Sequence, residues 1–79
     1  MKLNIELKKQ NGLLWYLIVE NALFADYEQI GDKIYFCGVF EYHNNKLEKL
    51  EKLLYESEQA HEPIRDLIRA GGGKGTIEI

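Results

Sequence analysis

The chain has 79 residues, a net charge of −3 at pH 7, and 46% hydrophobic and 29% charged residues. These proportions fit one small globular domain, 1–79, and argue against intrinsic disorder. Its longest apolar run, residues 13–19, falls far short of the ~18–20 residues that a membrane-crossing helix needs. The first residues interrupt their apolar positions with polar ones, unlike the continuous apolar core of a secretion signal. Cys37 is the single cysteine and has no internal disulfide partner, which fits a cytoplasmic setting. A domain this small hides only about 60–65% of the surface of its unfolded chain, enough for one sheet and one helical layer.

Residues 3–8 alternate apolar and polar, as a strand with one buried face does. Asn11-Gly12 then separates them from the apolar run, the signature of a hairpin closed by a type I′ turn. With the loop on those two residues, Leu7 falls opposite Tyr16, Ile5 opposite Ile18, Lys8 opposite Trp15 and Glu6 opposite Leu17. Directly opposed residues share a face. Leu3, Ile5, Leu7, Leu14, Tyr16 and Ile18 are thus expected on the core side. Trp15, Leu17 and Val19 are expected on the other, among Asn4, Glu6 and Lys8, with nothing in the first strand to cover them.

Residues 21–30 satisfy two patterns. Leu23, Ala25 and Tyr27 alternate as in a strand, while Ala22, Ala25 and Gln29 also suit a short helix. Gly31-Asp32 breaks the chain before a strand at 33–42 rich in aromatic and β-branched residues, with Gly38 marking a bulge or a close backbone approach. Asn45 and Glu48 have capping-box spacing, and Leu47, Leu50, Leu53 and Leu54 form the one-sided stripe of a helix running to about Gln59. Pro63 suits the first turn of a second helix with Ile64, Leu67 and Ile68 on its buried side and Gly71 as its stop. One long helix kinked at Pro63 is the alternative. Residues 76–79 read as a terminal strand. The expected class is α+β: an antiparallel sheet of three to four strands, order β-β-(short element)-β-α-α-β, with the helical segment 45–70 on one face.

The motifs that suggest chemistry are incomplete. Gly71-Gly-Gly-Lys-Gly-Thr76 resembles a phosphate-binding loop, but such a loop follows a strand and opens a helix, whereas this one follows a helix. A glycine C-cap with a connector fits better. Residues 33–40 share only Lys33, Tyr35 and Phe40 with the aromatic octamer of RNA-recognition sheets. Cys37, His43 and His61 lack the spacing of a structural metal site, and no third group marks a nucleophile–base pair. No metal, cofactor or catalytic residue is therefore expected.

The leading expectation is a non-catalytic protein-binding module centred on Trp15, Leu17 and Val19. Beside it lies the acidic segment Glu20, Asp26, Glu28 and Asp32, which also carries Phe24 and Tyr27 and suits a basic partner. Size and charge alone align it with small inhibitors and accessory proteins of phages and mobile elements that block a nucleic-acid enzyme, as anti-CRISPR proteins do. One alternative is a structural homodimer that buries the same face. The other is a nucleic-acid-binding module using Arg65, Arg69, Lys74 and Tyr35, although Glu62 and Asp66 offer those arginines local acidic partners.

Overall fold

The computed structural model describes residues 1–40, 47–57 and 59–79. Five strands, β1 (Lys2–Asn11), β2 (Leu14–Val19), β3 (Ala22–Ile30), β4 (Lys33–Val39) and β5 (Gly73–Glu78), form one antiparallel sheet in the order β4-β3-β2-β1-β5. Helices α1 (Glu48–Tyr55) and α2 (Glu62–Arg69) stand between β4 and β5 in the chain. The α+β class holds, with five strands rather than three or four. The ambiguous segment 21–30 is a full strand. The helical stretch is two helices, with Pro63 in the first turn of the second. Asn45, the expected cap of the first helix, and His43 lie outside the described residues.

The first four strands follow one another as hairpins. The β2–β3 loop is Glu20-Asn21, both at positive φ (49° and 69°), the conformation of a type I′ turn. Glu20 is unusual there. Its carboxylate accepts the backbone N–H of Asn4 at 3.1 Å, and its own N–H donates to the Asn4 carbonyl at 2.9 Å, which fixes the turn against β1.

The β1–β2 hairpin departs from expectation at one residue. Asn11 belongs to β1 and pairs with Leu14, so the loop is Gly12-Leu13, with Gly12 at φ 23°. Lys9 pairs with Trp15, leaving Gln10 as the extra residue of a bulge. Leu7 therefore opposes Leu17, and Ile5 opposes Val19. A shift of one residue exchanges the two faces of a strand. Trp15, Leu17 and Val19 join Leu3, Ile5 and Leu7 in the core, and Leu14, Tyr16 and Ile18 turn outward.

The helices cover that inner face. Leu50 and Leu54 of α1 and Ile64 and Ile68 of α2 are buried in one cluster with Trp15, Leu17, Val19, Phe24, Tyr27, Ile34 and Ile77. Leu47, Leu53 and Leu67 pack against it half-exposed. The Trp15 indole N–H donates to Gln29 Oε1 at 3.1 Å, so burying it leaves no orphaned donor.

Tyr27 is different. Its side chain is wholly buried, and its hydroxyl has no hydrogen-bond partner among the described residues. Burial, and secondarily the charge of a Cys37 thiolate, pushes its phenol well above the ordinary value near 10. The native state therefore holds this proton after the unfolded chain has released it, and stability falls as pH rises past about 10. Tyr27→Phe is expected to match or exceed the parent by up to about 1 kcal/mol at neutral pH, because it removes an unsatisfied polar atom. It is also expected to flatten the alkaline limb. Urea midpoints measured from pH 7 to 11 check both.

Candidate interaction surface

The outer face of the sheet carries an apolar stripe that no described element covers. Leu14, Tyr16 and Ile18 of β2 lie half-exposed in its middle. Leu23, paired with Ile18, extends the stripe onto β3, and the Phe40 ring meets Tyr16 edge-on at 5.9 Å between centroids. At the other end, alternation from Glu28 brings Ile30, 52% exposed, to the same side. Tyr35, paired with Glu28, stands on the β4 flank.

Charge is arranged around this stripe by the same pairing. Asp26 sits directly opposite Tyr16, and Glu28 opposite Leu14, on the β3 side. On the β1 side Lys8 opposes Tyr16 and Glu6 opposes Ile18. A shallow depression of about 240 Å³ opens at the β1 side, lined among others by Asn4, Glu6, Ile18, Asn21 and Lys74. An apolar centre bordered by charge is the composition of a protein-contact patch.

Of the residues expected to form the interface, Trp15, Leu17 and Val19 are 3%, 0% and 1% exposed, and Phe24 and Tyr27 are likewise interior. None is available to a partner. The physical cause is the Gln10 bulge together with the two helices, which occupy the side those residues face. The acidic segment also divides. Glu20 and Asp32 sit in the turns at opposite ends of β3, and only Asp26 and Glu28 border the apolar stripe.

The residues of the nucleic-acid reading do not converge. Lys74 is on β5 and Tyr35 on β4, at opposite edges of the sheet, while Arg65 and Arg69 are on α2. Arg69 donates to the backbone carbonyl of Asp32 at 3.1 Å and so ties α2 to the β3–β4 turn.

Comparison with family models, with curated proteins and with solved structures finds no match to this chain.

Among the described residues no three His, Cys, Asp or Glu side chains gather to hold a metal, and no helix is long and apolar enough to cross a membrane. Cys37 is exposed on β4, but its thiol is raised by partial burial and then by the carboxylates of Asp26 and Glu28, which keeps it protonated and weakly nucleophilic. His61 precedes α2 without capping it through its side chain. The hairpin pattern places Leu14, Tyr16 and Ile18 on the core side, whereas the structure leaves them half-exposed on the outer face. Nothing within residues 13–19 separates them from Trp15, Leu17 and Val19, because both sets are apolar or aromatic throughout.

Proposed function

We propose that this chain is a non-catalytic protein-binding module that engages its partner through the outer face of the sheet. The observation that carries the reading is the half-exposed row Leu14, Tyr16 and Ile18, continued by Leu23 and Phe40, on a side without a covering element among the described residues. Aromatic and aliphatic groups at the centre of a charged rim provide most of the energy of a typical protein interface. Asp26 and Glu28 on one border favour a partner whose matching border is basic, and a nucleic-acid enzyme offers such a surface. Blocking such an enzyme is the specific activity we assign to the module.

A photo-crosslinking residue at position 18, expressed in the native host, is expected to capture the partner, whereas one at Lys52 on exposed α1 is not. With the partner purified, Tyr16→Ala is expected to weaken binding by about tenfold or more while leaving the fold intact by circular dichroism. Asp26→Lys is expected to weaken it less and mainly at low salt. Binding unaffected by Tyr16→Ala would remove the outer face from consideration.

A further inference from the structure

Among the described residues, strand β5 forms one edge of the sheet and is paired on one side only. Which of its backbone groups are free follows from the ladder. Ile79 exchanges both backbone bonds with Met1, its N–H donating to the Met1 carbonyl at 2.8 Å and its carbonyl accepting from the terminal amine at 2.6 Å. In an antiparallel ladder such pairs alternate with pairs whose N–H and C=O point away from each other. Ile77, Gly75 and Gly73 therefore bond to β1, and Glu78, Thr76 and Lys74 direct their N–H and C=O outward. The Asn4 carbonyl confirms the phase. Thr76 is its cross-strand partner, yet that carbonyl accepts from Glu20 on the opposite side of β1.

The opposite edge of the sheet is not equivalent. There β4 is bulged, and residues 59–60 already bond to it, with Ala60 N–H on the Ile34 carbonyl at 2.9 Å and Gln59 bridged to Tyr35. The β5 edge is regular over its length, and its outward residues Lys74, Thr76 and Glu78 are exposed.

We infer that β5 pairs with β5 of a second copy of this chain, antiparallel about a two-fold axis at Thr76. In that register Thr76 meets Thr76 of the partner subunit, Lys74 meets the partner's Glu78, and Glu78 meets the partner's Lys74. Each pair consists of residues whose backbone groups already point outward, so all three pairs exchange two hydrogen bonds. The charges oppose at both ends, where a typical edge uses charge to repel other strands. On the inner side Ile77 meets the partner's Gly75, a position covered within each copy by the Leu67 side chain. The result is a closed two-fold dimer with a continuous sheet that ends on both sides at the bulged β4 edge, so growth stops at two.

This inference is separable from the outer-face reading, because its backbone groups lie on the edge, and of Lys74, Thr76 and Glu78 only Lys74 also lines the depression beside Ile18. The test is sedimentation of the full chain from micromolar to millimolar concentration, with circular dichroism as the fold control. The parent is expected to dimerise reversibly. Thr76→Pro removes only an outward N–H and is expected to weaken association by about tenfold or more while keeping the β1–β5 pairing. Lys74→Glu alone and Glu78→Lys alone are each expected to weaken it similarly, because every end pair then opposes like charges. An equimolar mixture of those two variants is expected to recover association as a heterodimer, seen by native mass spectrometry, because the introduced acid of one meets the introduced base of the other. A parent that stays monomeric throughout, a dimer as strong with Thr76→Pro, or a charge-reversed mixture that does not recover would each overturn the inference.

Discussion

Leu17→Lys is expected to unfold the domain, and the same substitution one position later, Ile18→Lys, to leave it folded. Leu17 is fully buried between the sheet and the helices, whereas Ile18 lies half-exposed on the outer face beside Glu6 and Leu23. Truncating a buried leucine costs about 2–5 kcal/mol, and placing an ammonium group in the vacated space adds the penalty of an unpaired interior charge. A domain of this length has about 4–12 kcal/mol of stability in all. The loss at Leu17 therefore consumes most or all of it. At Ile18 the lysine reaches water and costs about 1 kcal/mol or less. Circular dichroism and urea titration of the two variants check the hairpin register directly. The register of an unbulged Asn11-Gly12 turn demands the reverse outcome.

The second large effect is expected at Gly72. It follows α2 in the left-handed region, φ 100°, and its N–H closes the helix end on the Leu67 carbonyl at 2.8 Å. A Cβ there meets the Leu7 carbonyl oxygen at 2.8 Å and the Trp15 ring at 3.1 Å. The chain passes this close because β5 must enter the sheet beside β1 immediately after the helix. Gly72→Ala is expected to cost about 2–4 kcal/mol, from an unfavourable backbone conformation combined with a contact against backbone that cannot give way. Gly71→Ala provides the comparison. Its φ is also left-handed, at 94°, but nothing lies within 4 Å of its Cβ position, so only the conformational part of the cost, about 1 kcal/mol, is expected. Urea midpoints with an unchanged slope measure the difference. Equal losses at the two positions would mean that the close approach to Leu7 and Trp15 carries no energy.

Much of the architecture could be read from local pattern. The alternation of Leu3, Ile5 and Leu7 identified a core-facing strand, and those residues are buried. The Leu50/Leu54 and Ile64/Ile68 spacings identified two buried helix faces, and Pro63 lies in the first turn of α2. The glycine run was legible as a helix stop, but not as the place where β5 begins, since Gly73 and Gly75, on either side of Lys74, have no side chains to show a strand period. Residues 21–30 fit both a strand and a short helix for a related reason. Phe24 is the extra residue of a second bulge, so Phe24 and Ala25 both face the core and the strand's alternation is broken.

The candidate surface was inverted by the same kind of event. An apolar stretch buried on one side and half-exposed on the other has no internal phase, so the side that meets the core is set by its neighbours. The bulge at Gln10 set the phase of β2 against β1, and the helices chose which side to cover. Residue types alone determined the α+β class, the helix faces, the inward side of β1, and that β2 carries more apolar surface than one face needs. Only the assembled sheet decided which half of that surface is core and which is exposed, because strand register is fixed by pairing with distant residues and leaves no mark on a segment apolar throughout.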